Sequence, residues 1–232
     1  MSNEPRVLII GSQQGSLGEA IGNHLFVNGY QVRTAGISGE EEYDLNLYAD
    51  STDRLLTVLR VVRPDHIVCT AGRNEPDPGS VDVRGWYENA FGANVIGPMR
   101  LLHAWYERGG EEGWAKRHYV AVSSNSARVP RTGSGPYCAS KAALSMALRC
   151  AAREYATVGG PTVWGVEPGL IAGTPMTDAV AERFAGLPLT RMRPPELSAG
   201  ISPAVVADAV LMGLRAGRAM SGVLLPLDAD EA

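Results

Sequence analysis

Tyr137 and Lys141 are the residues whose types and spacing most directly indicate chemistry. They stand four positions apart in Tyr137-Cys138-Ala139-Ser140-Lys141, so a helix here would place both side chains on one face. A positive charge beside a tyrosine favours the phenolate and lowers the pKa of the phenol, which permits general acid–base catalysis near neutral pH. Ser124 lies 13 residues before Tyr137, and its hydroxyl there could bind a reacting carbonyl oxygen.

A tyrosine and a lysine at this spacing also occur by chance as an ordinary surface pair. Lys141 argues against that interpretation, because Lys116 and Lys141 are the only lysines among 21 basic residues. Arginine replaces lysine almost everywhere else, but it cannot supply a compact ammonium with an adjustable pKa.

A second candidate site is the glycine-rich segment that runs from Ile10 to Gly18 with the sequence IGSQQGSLG. It lies between an apolar run and a helix-forming segment. Backbone N–H groups and the positive end of a helix in such a turn can bind a pyrophosphate. Glycine also serves tight turns that bind nothing, so this loop alone leaves dinucleotide binding open.

The elements that must position these residues alternate between short apolar runs and segments of helical period. Buried parallel strands read as continuous apolar runs, and the sequence predicts strands over 6–10, 31–35, 44–47, 66–70, 118–123, 162–166 and 223–227. Helices are predicted over 18–28, 52–62, 85–108, 136–155 and 204–214. This alternation predicts an α/β fold, a doubly wound parallel sheet of about seven strands with helices on both faces and ligands at the carboxyl ends of the strands.

Composition excludes several classes of protein. The 232 residues include 45% hydrophobic and 20% charged residues, as in a soluble globular protein, and we expect a single domain over 1–232. The net charge of −4 argues against a nucleic-acid partner. No apolar run approaches the roughly 20 residues of a membrane helix, and no signal peptide is evident. Three cysteines and four histidines lack disulfide or zinc spacing, so we expect a metal-free cytoplasmic protein.

The chain resembles the short-chain dehydrogenases/reductases over nearly its whole length. The family combines a TGxxxGxG loop, an NNAG segment, an Asn–Ser–Tyr–Lys tetrad and a PG motif. Tyr137 and Lys141 match the tetrad, Ser124 has the family's spacing from the tyrosine, and Asn94 fits the helix asparagine. Pro168 and Gly169 form the PG pair after the sixth predicted strand.

This resemblance implies the roles of the tetrad. Tyr137 would exchange a proton with the substrate oxygen and Ser124 would hold that oxygen. Lys141 would lower the pKa of the tyrosine and bind the nicotinamide ribose, and Asn94 would support a water relay. The residues implied in cofactor binding, besides Tyr137 and Lys141, are Gly11, Ser12, Ser16, Leu17, Gly18, Ala71, Gly72, Pro168, Gly169, Ile171 and Thr174. Family members commonly form tetramers, so a homodimer or homotetramer is expected, and Trp86, Trp105 and Trp114 are candidates for its interface.

Several segments depart from the family pattern. In one register Ser12 and Ser16 occupy two glycine positions, where positive φ would cost of order 1 kcal/mol per serine. The other register keeps Gly11 and Gly15 and inserts one residue before Gly18. The NNAG segment reads Cys-Thr-Ala-Gly from 69 to 72, the terminal VDGG reads Leu-Asp-Ala-Asp from 227 to 230, and Thr174 comes one position late after the PG pair.

The choice of cofactor depends on the end of the second strand. NAD enzymes of this fold place an acid there to bind the ribose 2′-hydroxyl, but the expected position is Gly36. Arg33 could bind a 2′-phosphate, whereas Glu40, Glu41 and Glu42 are read as a solvated loop that could also swing in. The sequence therefore favours NADP over NAD.

The sequence thus predicts an NAD(P)-dependent oxidoreductase that interconverts a carbonyl and a secondary alcohol on a small or medium-sized molecule. The segment 174–200 is predicted to be a short substrate lid, in which Arg191 or Arg193 could bind an anion. Two alternatives stay open. One is a non-redox, cofactor-binding regulator, which the altered glycine loop would suit, and the other is a lyase or isomerase that uses the same tyrosine.

Overall fold

A computed structural model describes residues 4–74, 83–109, 113–114, 116–131, 133–185 and 200–228. Its strands are β1 (Arg6–Ile10), β2 (Gln31–Gly36), β3 (Tyr43–Asp44), β4 (His66–Cys69), β5 (His118–Val122), β6 (Thr162–Pro168) and β7 (Leu224–Leu227). Its helices are α1 (Leu17–Val27), α2 (Thr52–Val62), α3 (Val83–Phe91), α4 (Gly97–Arg108), α5 (Gly135–Thr157), α6 (Pro175–Ala185) and α7 (Pro203–Ala216).

The strands form a parallel sheet in the order β3-β2-β1-β4-β5-β6-β7. The chain first builds outward from β1 to β3 and then returns to the other side of β1 with β4. Strand order therefore reverses between β1 and β4, and the connections after these two strands lead to helices on opposite faces of the sheet, α1 on one and α4 on the other. In such sheets the crevice at the carboxyl ends of the strands is where ligands bind. This topology confirms the predicted doubly wound α/β fold.

Successive side chains of β1 belong to two hydrophobic layers, one on each face of the sheet. Leu8 and Ile10 point to the face covered by α2, α4 and α5, whereas Val7 and Ile9 point to the face covered by α1 and α7. All four side chains are essentially inaccessible to water. A strand buried on both faces has no polar side to alternate with, which explains the continuous apolar run RVLII.

Three predicted elements differ from the structure. The segment predicted as one helix over 85–108 is α3 and α4 with a π-helical turn between them. The predicted third strand is shorter and earlier, at Tyr43–Asp44. The first part of the predicted lid is the helix α6, which begins at Pro175 because proline suits the first turn of a helix. The rest of the lid, with Arg191 and Arg193, lies outside the described residues.

Trp105 does not lie on an exposed face, contrary to the prediction that it packs a subunit interface. Its ring is fully buried, its indole N–H donates to the carbonyl of Pro64 at 3.2 Å, and Trp114 packs edge-on at 4.8 Å. Trp105 therefore serves this chain's own core between α4 and the sheet. Among the helices of the described segments, none has the length and apolarity required to cross a membrane.

Candidate active site

The glycine loop after β1 keeps its glycines where the backbone requires them. Gly11 and Gly15 have φ of +84° and +73°, in the left-handed region that favours glycine. Ser12 and Ser16 do not have positive φ. The register that keeps Gly11 and Gly15 is therefore the one the backbone follows, and the predicted strain at the serines is absent.

Gly18 is required for a different reason, which is close packing. A Cβ atom at this position would lie 2.7 Å from Thr70 Oγ1 and would also overlap the carbonyl of Gly11. Thr70, in the segment where the family has NNAG, donates its hydroxyl hydrogen toward the carbonyl oxygens of Ile10 and Gly11, at 2.7 and 2.8 Å. The loops after β1 and β4 are thus locked together at the switch point.

Ser16 begins helix α1 instead of replacing a glycine. Its extended backbone and its hydroxyl, which accepts from the amide of Glu19 at 3.2 Å, make it the N-cap. The Glu19 carboxylate accepts in return from the amide of Gly15 at 2.7 Å, so the two side chains cap the helix reciprocally. Leu17 and Gly18 follow at the positive end of α1 and line the pocket, a position suited to an anion.

Asn94 lies in the π-helical turn Gly92–Ile96 that separates α3 from α4. Its side chain is fully buried. Its Oδ1 accepts from the amide of Arg73 at 2.6 Å, and its Nδ2 donates to the carbonyl of Arg73 and to the hydroxyl of Ser140, both at 2.9 Å. Since both amide hydrogens are used, Asn94 fixes the loop after β4 to helix α5.

Ser124 follows β5 and is 7% exposed. It caps a short 3₁₀ turn, and its hydroxyl accepts from the amide of Ser126 at 3.1 Å. The hydroxyl of the neighbouring Ser123 makes a buried contact with that of Ser145 at 2.8 Å. Ser145 in turn donates to the buried carboxylate of Glu167 at 2.7 Å. This chain of polar groups ties the end of β5 to α5 and β6 behind the pocket.

Tyr137 and Lys141 lie on the first turns of α5 and face the same pocket. The Lys141 ammonium is 5.7 Å from the centre of the Tyr137 ring and donates to the carbonyl of Val122 at 2.8 Å. Because this lysine is almost completely buried, desolvation lowers the pKa of its ammonium to about 8.

The pKa of Tyr137 differs from the prediction. Burial raises the pKa of the phenol, and the hydrogen bond to Ser124 lowers it by a smaller amount. The lowering predicted from Lys141 is thus not found for the protein alone. Burial disfavours the charged forms of both side chains. It therefore raises the pKa of the phenol, whereas the positive charge of the lysine would lower it.

The end of β6 and the segment after it close the remaining side of the pocket, which they line with Pro168, Gly169, Ile171 and Thr174. Thr174 is buried and donates to the hydroxyl of Thr177 at 3.0 Å and toward the carbonyl of Ile171 at 3.3 Å. Its late position after the PG pair places it immediately before Pro175, where α6 begins. These contacts hold the start of α6 against the mouth of the pocket.

The pocket enclosed by these loops has a volume of about 870 Å³, within the range of small-molecule and cofactor sites. It extends from the end of β2, past the glycine loop, to Ser124 and Tyr137. The described residues contain no cluster of histidine, cysteine and acidic side chains that could hold a metal ion.

A family model described as short chain dehydrogenase matches residues 57–184, which is more than half of the chain. The chain belongs to the short-chain dehydrogenase family. The predicted membership is confirmed.

One curated relative is the vibriobactin-specific 2,3-dihydro-2,3-dihydroxybenzoate dehydrogenase of Vibrio cholerae serotype O1. It is 28% identical over 178 residues, which are 66% of this chain and 65% of the relative. The aligned part thus spans slightly less than two thirds of the relative's length.

Solved structures show the fold at lower identity. A short-chain dehydrogenase/reductase family oxidoreductase from Burkholderia thailandensis has a TM-score of 0.80 at 21% identity, and the match covers 98% of this chain and 92% of that one. An actinorhodin polyketide ketoreductase with NADPH has a TM-score of 0.81 at 20% identity, with 98% and 97% coverage.

This short-chain dehydrogenase brings nearly all the predicted site residues to one pocket. Of these residues, Ser12 and Asn94 do not line it. Asn94 lies behind the loop after β4, and the Ser12 hydroxyl is buried without a hydrogen-bond partner among the described residues. The pocket also contains Arg131, which sequence reasoning left out, and Glu41, which it read as part of a solvated loop that could swing in. No motif marks either residue, since their positions depend on loop geometry.

Proposed function

We propose that this protein is an NAD(P)-dependent oxidoreductase that interconverts a carbonyl and a secondary alcohol on a small or medium-sized organic molecule. The observation that carries the proposal is the convergence of Ser124, Tyr137 and Lys141 on one pocket that continues to the glycine loop. The pocket thus combines an acid (Tyr137), a hydrogen-bond donor (Ser124) and an ammonium group (Lys141) with a loop suited to a dinucleotide.

The residues present fit a nicotinamide dinucleotide. The amino end of α1 at Leu17 and Gly18 suits the pyrophosphate. A Cβ on Gly72 would lie 3.2 Å from the Lys141 nitrogen and 3.3 Å from Asn94 Oδ1, so glycine keeps the space around the lysine open for ribose hydroxyls. The other pocket residues that would hold the cofactor are Gly11, Ser16, Ala71, Tyr137, Pro168, Gly169, Ile171 and Thr174. When bound, the nicotinamide supplies or accepts the hydride.

Tyr137 acts as the acid in carbonyl reduction. Burial raises the pKa of its phenol, which keeps the proton in place for donation to the carbonyl oxygen. The Ser124 hydroxyl donates a hydrogen bond to the same oxygen and holds it beside the phenol. In the reverse direction Tyr137 must first lose its proton, so alcohol oxidation should increase with pH.

Lys141 supplies positive charge near the phenolate once it forms. Only one hydrogen bond from its ammonium is found within the described residues, to the carbonyl of Val122. Two N–H donors are thus available to ribose hydroxyls and water. Asn94 is a positioning residue in this proposal, because its amide holds the backbone of Arg73 and the hydroxyl of Ser140 beside the lysine.

The test is a comparison of Tyr137→Phe with wild type on a panel of ketones and secondary alcohols, with each nicotinamide cofactor. Loss of a positioned acid should reduce turnover by about 10²–10⁴-fold, while cofactor binding persists. Tyr155→Phe is the matched control, since Tyr155 lies on the same helix, outside the pocket lining, and contacts the Tyr106 ring. Wild-type turnover by Tyr137→Phe would refute the mechanism.

The two alternatives have less support in the geometry. A non-redox role would suit the altered glycine loop and the loss of both NNAG asparagines. Of these two grounds the first is weakened, because Ser12 and Ser16 do not have positive φ and the loop keeps Gly11 and Gly15. A lyase or isomerase would need the same tyrosine and is separated from redox chemistry by the absence of net nicotinamide oxidation or reduction. We also propose a cytoplasmic homodimer or homotetramer of one domain per chain.

A further inference from the structure

The carboxylate of Glu41 occupies the space beside Gly36, at the end of β2. A Cβ built on Gly36 would lie 2.6 Å from the carboxyl carbon of Glu41 and 3.2 Å from its Cγ. The backbone of Gly36 does not have positive φ, so the glycine is not required by its conformation. Its missing side chain instead leaves room for a carboxylate that arrives from five residues later in the chain.

Glu41 is held in this position by Ser38. One carboxylate oxygen accepts from the Ser38 amide at 3.2 Å and from its hydroxyl at 2.5 Å. The side chain is half-buried, and it lines the pocket together with Gly36, Ile37 and Ser38. The acid that this fold usually places at the end of the second strand is therefore supplied here by the following loop.

Arg33, the residue that suggested a 2′-phosphate site, is directed to another partner. Its guanidinium pairs with the carboxylate of Glu42, whose amide in turn donates to the hydroxyl of Thr34 at 3.0 Å. The basic residues of the described pocket lining are Arg73, Arg131 and Lys141. Arg73 follows β4, Arg131 follows β5, and Lys141 lies in α5. At the end of β2 the lining thus carries a negative charge and no positive one.

We propose that Glu41 makes this enzyme selective for NAD(H) over NADP(H). Its carboxylate accepts hydrogen bonds from the adenosine ribose hydroxyls and repels a 2′-phosphate, which is itself an anion. This inference rests on the proposed function, and it reverses the preference for NADP that Gly36 and Arg33 suggested.

The experiment is a titration of the purified protein with NADH and with NADPH, following nicotinamide fluorescence and thermal stabilisation. Wild type should bind NADH at least about tenfold more tightly than NADPH, because the Glu41 carboxylate and a 2′-phosphate placed beside it repel each other. Glu41→Gln keeps the size of the side chain and removes its charge, so it should strengthen NADPH binding, weaken NADH binding and reduce the ratio by about tenfold.

Three variants serve as controls and as a rescue. Glu107→Gln makes the same change of net charge on the exposed face of α4 and should leave the ratio unchanged. Arg33→Ala should have little effect on NADPH, because Arg33 is engaged by Glu42. Glu41→Ala combined with Gly36→Asp moves the acid to the end of the strand and should restore selectivity for NADH.

The outcomes separate this inference from the function on which it rests. If NADPH binds wild type at least as tightly as NADH, or if Glu41→Gln leaves the ratio unchanged, the role of Glu41 is refuted while the oxidoreductase proposal stands. If neither dinucleotide binds, both proposals fail.

Discussion

Lys141 should destabilise the folded protein at neutral pH, and Lys141→Met should therefore unfold less readily than wild type. The pKa of the ammonium is about 8 in the folded protein, compared with 10.5 for an ordinary lysine, because burial penalises the charge. This difference of about 2.5 pH units corresponds to about 3 kcal/mol at 1.36 kcal/mol per unit. Methionine fills a similar volume without a charge, so the variant avoids this cost. It also leaves the Val122 carbonyl without the hydrogen bond from Lys141, which offsets about 1–3 kcal/mol of the gain.

The sign of the pH dependence follows from proton binding. Between pH 8 and 10.5 the unfolded chain holds the lysine proton and the folded protein does not, so the stability of wild type rises with pH relative to the variant. The penalty is fully present below pH 8 and disappears as the pH approaches 10.5. Between pH 7 and pH 9.5, the advantage of Lys141→Met should thus decrease by about 2 kcal/mol.

Urea unfolding of both proteins without cofactor, at pH 7 and at pH 9.5, measures this difference. Lys116→Met is the matched control, because it makes the same change of residue type at an exposed side chain and relieves no buried charge. A stability difference between Lys141→Met and wild type that is the same at both pH values would show that the folded protein does not penalise the ammonium, and the reasoning from burial would be wrong.

Three further perturbations test the packing and the polar interior. Gly18→Ala should cost about 1–3 kcal/mol in urea unfolding because its methyl group overlaps the loop after β1, whereas Gly22→Ala in the same helix should cost nothing, and equal effects would contradict this packing. Asn94→Ala should cost about 2–4 kcal/mol in the same assay, since it leaves buried polar groups without partners; a cost below about 1 kcal/mol would contradict the hydrogen-bond network. Burial lowers the pKa of His66 to about 4 from 6.5, so its contribution to stability is present above pH 6.5 and is lost as the pH falls towards 4. His66→Gln should then lose about 2 kcal/mol less than wild type between pH 7 and pH 5, and parallel losses would refute this assignment.

The sheet could be predicted from the sequence because its central strands β1, β4, β5 and β6 are buried on both faces. Continuous apolar runs such as Arg6–Ile10 and the sixth strand have no other common explanation at that length. Helix α2 was predicted with its observed bounds, Thr52–Val62, because its apolar stripe is bounded by Ser51, which caps its amino end, and by the turn at Pro64. Local signals were sufficient wherever burial and capping agreed.

The π-helical turn could not be predicted, because periodicity over 85–108 is compatible with one helix. The turn is visible only in the backbone, where the amide of Gly97 donates to the carbonyl of Gly92. Both glycines lie against the segment before α2: a Cβ on Gly92 would be 2.8 Å from the Tyr48 ring, and one on Gly97 would be 2.9 Å from Leu47. Tertiary contacts thus select this conformation, and π-turns often occur at functional sites.

The conformation of the glycine loop also depends on contacts between residues that are distant in the sequence. Counting residues left two registers open, and the choice depends on φ at Gly11 and Gly15 and on the approach of Thr70 to Gly18, which is 52 positions away in the sequence. Glu41 is a comparable case, since its function depends on the space that Gly36 leaves beside it.

The edge of the sheet where the pocket lies contains several features that destabilise the fold. It contains a nearly buried ammonium at Lys141, a helix interrupted at Asn94 and a buried hydroxyl at Ser12 without a partner among the described residues. A ligand that donates and accepts hydrogen bonds would offset part of these costs, and it would stabilise the folded state in proportion to its affinity. The Lys141→Met variant should therefore gain stability alone but lose part of the additional stabilisation that a bound dinucleotide gives wild type. If Lys141 did not contact the dinucleotide, the bound dinucleotide would stabilise the variant and wild type equally.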